Sequence, residues 1–228
     1  MHSTYYTIIL LFFIIVYFLL KNQKKNIIEA LTNKNNIEAL TNNIDVILIG
    51  DSILENSNYV NHADTTGANI KNTHKKTIVL AKDESIVDDI KFQLKNIPKK
   101  LDNKNTYVFL SIGGNDLLKI YKYQNTNIND FSHIDNVFSK YKKLVHFIKK
   151  KYKFNLVLLN IYYPKDKLYI KFHKIIKTWN KKLLVFSKKN NFKFLDISKI
   201  LYKKKHFTNG IEPSGEGSKL LANGIKNF

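Results

Sequence analysis

Asp45-Val-Ile-Leu-Ile-Gly50-Asp51-Ser52 joins an apolar run to an abrupt polar stop. Val46 to Ile49 is unbroken and rich in β-branched residues, the pattern of a strand buried on both faces. A serine directly after it stands at the carboxyl end of that strand, where a nucleophile can be presented. The same serine also suits a helix N-cap, so the tripeptide alone leaves both roles open. Four further runs follow: Thr77-Ile-Val-Leu-Ala81, Tyr107-Val-Phe-Leu-Ser111, Leu156-Val-Leu-Leu-Asn-Ile161 and Phe192-Lys-Phe-Leu-Asp-Ile197. Helical periodicity lies between and after them, from Ile86 to Ile97, Val137 to Tyr152, Leu168 to Phe186 and Ser214 to Phe228. Alternating strands and helices predict an α/β fold with a parallel central sheet covered on both faces by right-handed crossovers. Sites in such sheets lie at the carboxyl ends of the strands. Ser52, Asp83–Ser85 and Gly113–Asp116 all fall at such ends.

Upstream of this region the chain changes character. Tyr5 to Leu20 is apolar or aromatic except for Thr7. Sixteen residues at the helical rise span roughly 24 Å, enough for a thin bilayer or one reached by polar flanks. A cleaved signal peptide would want a basic start and a small-residue cleavage site. Neither is present, so residues 1–22 are read as an uncleaved single-pass membrane anchor. Lys21, Lys24 and Lys25 on its C-terminal flank favour a cytoplasmic side for the globular part. Residues 23–44 are read as a polar linker, in which Ile28-Glu-Ala-Leu-Thr-Asn33 recurs as Ile37-Glu-Ala-Leu-Thr-Asn42. Two copies are too few for a solenoid. Residues 45–228 form the expected catalytic-type domain.

With 228 residues, 44% of them apolar and including 15 Phe and 13 Tyr, the chain can build one substantial core. Thirty-eight Lys and Arg against 18 Asp and Glu give a net charge of +20. Such an excess suits nucleic acid or an anionic membrane. The basic residues are scattered rather than gathered on one motif, so nucleic acid is not an expected partner. The absence of cysteine excludes disulfides and thiolate metal sites. The seven histidines show no ligand spacing, and no phosphate-binding glycine motif occurs, so no metal or cofactor is expected.

The chemistry-bearing residues gather in three segments. The first is Gly50-Asp51-Ser52-Ile53-Leu54, and the second is Ser111-Ile-Gly113-Gly114-Asn115-Asp116. In the second, Gly113 and Gly114 let the backbone approach a ligand, and the Asn115 amide can donate to an oxyanion. An Asn after two glycines can also simply hold a turn. The third segment is Asn209-Gly-Ile-Glu212-Pro213-Ser214.

The first two segments, in this order, resemble the GDSL-like or SGNH hydrolase superfamily over roughly residues 45 to 227. That resemblance implies a three-layer α/β/α, flavodoxin-like fold and hydrolysis of esters. It implies Ser52 as nucleophile and, through its N–H, as an oxyanion donor, with the Asn115 side chain as a second donor. The third donor would be a backbone N–H at Glu84, where the family carries glycine. The family usually ends on Asp-x-x-His-Pro; here Asn209 and Glu212 stand at the titrating positions. In this the chain is similar to a subgroup that ends on Asn-x-Ile-Glu-Pro-Ser and carries a downstream Tyr-Val, here Tyr59-Val60.

Glu212 can then act as the base if burial raises its pKa toward neutrality. Alternatively it caps the closing helix and does no chemistry. His206, three residues before Asn209, is the best histidine substitute, and Asp196 could orient a base. The implied function is a membrane-anchored serine ester hydrolase acting on a small ester, a lipid or an acylated glycan. The alternatives are a catalytically weak homologue that binds such ligands and a basic tethered interaction module. The sequence does not fix the oligomeric state.

Overall fold

The computed structural model describes residues 21–25 and 44–228, apart from Lys75 and Asn125. The apolar run Tyr5–Leu20 and the nine-residue repeat lie outside the described residues. Among the described residues no helix is long and apolar enough to cross a membrane. Residues 21–25 are helical, and Ile44–Phe228 forms one compact unit.

Five parallel strands make the central sheet of that unit: β1 (Asp45–Gly50), β2 (Thr77–Val79), β3 (Thr106–Ser111), β4 (Asn155–Leu159) and β5 (Lys193–Leu195). Their order is β2-β1-β3-β4-β5. Pairing is parallel throughout, with Gly50 opposite Ser111 at the carboxyl ends of β1 and β3. The order reverses between β1 and β3, which makes a crevice at their carboxyl ends.

Alternating side chains divide the core into two layers, as the pleat requires. Ile47, Ile49, Val108, Leu110, Leu156 and Leu158 face one layer. There they pack on α2 (Ile90–Lys95), α4 (Ser132–Lys151) and α6 (His173–Lys189). Val46, Leu48, Phe109, Val157 and Leu159 face the other. It is covered by Ile70 of α1 (Thr66–Lys71) and by Leu221, Ala222 and Ile225 of α7 (Gly215–Lys226). Each of these fully buried aliphatic side chains contributes about 1.5–3 kcal/mol. Both faces being covered explains why the strands read as unbroken apolar runs.

Three remaining elements matter for the site. A short helix, α3 (Gly114–Leu118), follows β3 and continues as a wide π turn. A four-residue helix, α5 (Lys167–Ile170), follows β4. A two-stranded antiparallel ribbon, β6 (Phe207–Thr208) with β7 (Glu212–Pro213), precedes α7.

Several elements are shorter or split relative to the sequence expectation, for local reasons. The second strand ends at Val79 because the Leu80 and Ala81 amides both donate to the Leu48 carbonyl, which ends the regular ladder. The helix expected from Leu168 to Phe186 is two helices. Asp166 caps the first by accepting from the Leu168 N–H at 2.8 Å. Phe172 is buried between the two and lines the cleft described below. His173 Nε2 bonds the Pro164 carbonyl at 2.7 Å and fastens the break. Periodicity does not register this break, because Phe172 is apolar in either arrangement.

Candidate active site

The turn after β1 is forced by close backbone contact. Gly50 has φ 138°, and a Cβ there would lie 1.8 Å from the Ser111 carbonyl oxygen. Only glycine lets β1 and β3 meet at their ends in this way. Gln93 of α2 clamps the turn: its Oε1 accepts from the Gly50 N–H at 2.7 Å, and its Nε2 donates to the Gly50 carbonyl at 2.8 Å. The chain then delivers Asp51 and Ser52, both buried. Asp51 N–H donates to Ser111 O, and Asp51 Oδ1 accepts from Ser111 Oγ at 3.1 Å. The Ser52 N–H donates to no backbone carbonyl of the described residues.

The turn after β3 is built alongside. Gly113 has φ 111°, and a Cβ there would strike the Trp179 ring at 2.5 Å. Asn115 Nδ2 donates to the Ser85 carbonyl at 3.0 Å. An amide nitrogen carries two hydrogens, so one anchors the side chain and a second remains to donate. Asp116 Oδ2 accepts from the Val87 N–H at 3.0 Å and fixes the loop after β2 to the start of α3. Burial pushes the Asp116 carboxyl up to about 6.

The closing segment comes from far along the chain. Glu212 pairs with Thr208 in the ribbon, and its N–H donates to Asn209 Oδ1 at 3.2 Å. Asn209 and Gly210 both hold positive φ, 40° and 88°. Asn56 ties this loop to the turn carrying Ser52. Its Nδ2 donates to the Pro213 carbonyl at 3.1 Å and to Ser218 Oγ at 2.7 Å. Tyr162 supports the loop from the other side, its hydroxyl donating to the Ile211 carbonyl. The capping role weighed for Glu212 is not what the structure shows. Ser214 caps α7, its hydroxyl accepting from the Gly217 N–H at 3.2 Å.

These three segments meet at one cleft of roughly 730 Å³, including the part open to solvent. Ser52, Gly114, Asn115 and Glu212 all line it, together with Asp51. Glu212 is 6% exposed, and burial pushes its carboxyl up to about 7. The nearby Ser52 hydroxyl partly offsets that rise, and the Asp83 charge adds to it. Glu212 Oε2 is buried without a partner. Asp51 is pushed up further, to about 8, by burial first and by the Glu212 charge as well. Two carboxyls beside one serine therefore hold protons to near-neutral pH, and they titrate as a pair.

Two of the expected residues do not join the cleft. Glu84 is exposed, and its N–H donates to Asp83 Oδ1 at 2.8 Å. Its φ of 59° is the left-handed geometry that glycine would adopt more readily. An adjacent carboxylate has captured the N–H expected to serve as third donor. His206 is buried, but its Nδ1 accepts from the Tyr202 and Lys203 amides at 3.2 and 3.4 Å. It braces the turn before β6 and does not line the cleft. Burial holds its pKa below the usual histidine value. Asp196 is likewise engaged in a turn, accepting from Asn160 Nδ2 and Ser198 Oγ. Sequence reasoning missed Asn56, Gln93 and Tyr162. They belong to no motif and act through partners 43 to 162 residues away or, for Tyr162, 49.

No lysine, arginine or histidine lines the cleft. Its far wall is apolar, formed largely by Leu117, Leu118, Tyr121, Ile161, Phe172 and Ile175. Among the described residues no cluster suited to a metal ion occurs.

The fold is shared with solved structures of distant sequence. A lipolytic protein of the G-D-S-L family from Veillonella parvula is 16% identical, with a TM-score of 0.62, over 81% of this chain and 97% of that one. Phospholipase A1 from Streptomyces albidoflavus is 12% identical, with a TM-score of 0.58, over 80% and 98%. An acetylxylan esterase from Geobacillus stearothermophilus, crystallised as a catalytic mutant, is 14% identical, with a TM-score of 0.59, over 81% and 93%. No family model and no curated protein matches the sequence. The chain has the α/β fold of the G-D-S-L lipolytic proteins.

Proposed function

We propose that the protein hydrolyses carboxylic esters with an apolar acyl group, using Ser52 as nucleophile and Glu212 as general base. One observation carries this reading: a serine, an amide and a buried carboxyl, drawn from three distant segments, line the same apolar cleft. Ser52 Oγ attacks the ester carbonyl while Glu212 takes its proton. The Ser52 N–H and the unengaged hydrogen of Asn115 Nδ2 hold the oxyanion. The intermediate collapses, the alcohol leaves with the proton from Glu212, and an acyl-serine remains. Water, deprotonated by Glu212, releases the acid and restores the serine.

Glu212 meets the requirement that histidine usually meets. A base works best with a pKa near the working pH, and burial brings Glu212 to about 7. Asp51, held higher, stays protonated when Glu212 ionises, so the two carboxyls do not repel at the moment of attack. The chain's similarity to lipolytic, phospholipase and acetylesterase structures supports ester chemistry, and the apolar wall favours a hydrocarbon acyl group over acetyl.

A serine-reactive fluorophosphonate tests the proposal. The expected result is labelling of the native protein and none of Ser52→Ala. A folded native protein that resists labelling would overturn it and leave the cleft as a binding site for an ester or lipid.

A further inference from the structure

The cleft wall continues into an exposed rim. Pro164, Tyr169 and Phe172 line the cleft, and the residues between them carry side chains that face solvent. Leu168 is 72% exposed and Ile170 is 49% exposed. Lys165, Lys167 and Lys171 are exposed on either side of them. Among the described residues none of these three lysines is in an ion pair. Asp166, the one acid in the segment, is spent as the cap of α5 and packs against Gly210. The rim thus combines uncovered apolar tips with an excess of positive charge, three lysines against one aspartate. The cleft behind it has the opposite character, with Asp51 and Glu212 inside and no lysine or histidine among the described residues that line it.

We propose that the Lys165–Lys171 rim docks on an anionic lipid surface. Leu168 and Ile170 enter the acyl-chain boundary, and the three lysines lie at the lipid phosphates. Apolar tips framed by lysines are the pattern that interfacial segments use, because the long lysine stems let their charges stay at the headgroups. Each lysine near such a surface strengthens docking about five-fold. A nucleic acid would meet the same lysines but leave Leu168 and Ile170 unburied. Tyr169 connects the two regions: its ring lines the cleft, while Lys122 Nζ donates to its hydroxyl at 2.9 Å at the surface. A lipid ester would pass from the bilayer along Tyr169 to Ser52, a consequence that rests on the ester hydrolase reading.

Fluorescence reads the docking without turnover. The chain has one tryptophan, Trp179, which is 0% exposed. Leu168→Trp in the full chain adds a second at an exposed position outside the core. The protein is bound to vesicles of phosphatidylcholine alone, or of equal parts phosphatidylcholine and phosphatidylglycerol, with bromine on the acyl chains as quencher. The expected result is strong quenching of the introduced indole's emission in the anionic vesicles, at least about five-fold more than in the neutral ones. Lys165→Gln, Lys167→Gln and Lys171→Gln together should bring it to the neutral level. Equal quenching in both vesicles, or none, overturns the proposal. A concentration-dependent blue shift without lipid would also overturn it, since the rim would then be a contact between copies of this chain. Quenching without fluorophosphonate labelling of Ser52 upholds the docking surface and removes the hydrolase reading. Labelling without quenching does the reverse.

Discussion

Ser52 and Asn115 stand on turns that leave adjacent strands, while Glu212 stands on a loop that reaches them from the end of the chain. The first pair is placed by the sheet. β1 and β3 are in register from Asp45–Thr106 to Gly50–Ser111, so their exits must lie side by side. Glu212 has no such frame. Its two-residue ribbon is held by Asn56, Asn209 and Tyr162 through a few hydrogen bonds. The places of the proposed nucleophile and oxyanion donor are thus consequences of the fold, and the place of the proposed base is a consequence of a few side-chain contacts.

Five substitutions test that contrast, the most severe first. Gly50→Ala should cost about 4 kcal/mol or more, read by chemical denaturation, because the new methyl must displace the β3 backbone. A change under about 1 kcal/mol would show that the strand ends are not as tightly fixed as the contact requires. Glu212→Gln should leave stability nearly intact and lower p-nitrophenyl ester turnover about 10²–10³-fold. The native rate should rise with pH through about 7 as Glu212 loses its proton, and the variant should lose that rise. His206→Asn should cost stability and leave the pH limb in place; the reverse ranking would reassign the base.

Asn56→Ala should destabilise by about 1–3 kcal/mol, since it leaves the Thr66 amide and the Pro213 carbonyl without their Asn56 partner. It should also slow turnover more than it slows labelling of Ser52, because it loosens the Glu212 loop and not the turn after β1. The last effect concerns pH. The folded protein holds protons on Asp51 up to about 8 and on Glu212 up to about 7, whereas the unfolded chain releases them near their ordinary values. Their contribution to stability is fully present below about 4 and is lost as pH rises toward 8. Asp51→Asn should flatten that decline, measured by thermal unfolding across the window.

The residues that were legible in advance share one property. Val46–Ile49 and Val108–Leu110 are buried on both faces, so their composition alone reveals them, and the glycines after them mark where the backbones touch. Asn115 was legible because its motif is local. Glu84 was misleading for a reason outside any motif: the neighbouring Asp83 side chain takes its N–H. His206 looked available because it lies three residues from Asn209, but its ring turns to the backbone of residues 202 and 203. Phe172 fits a helical stripe and a cleft wall equally well, so the break between α5 and α6 left no trace in the periodicity.

By itself the sequence determined the parallel α/β sheet and the placement of Ser52 and Asn115 at its carboxyl edge. Both follow from short-range patterns of burial and turn geometry. Only the tertiary structure decided that Glu212, and neither His206 nor Glu84, faces the serine. It also decided that an apolar wall stands opposite and a lysine-framed rim lies outside. Those features depend on which distant side chains meet, and on how burial shifts a carboxyl's proton affinity, and neither is written in any single stretch of chain.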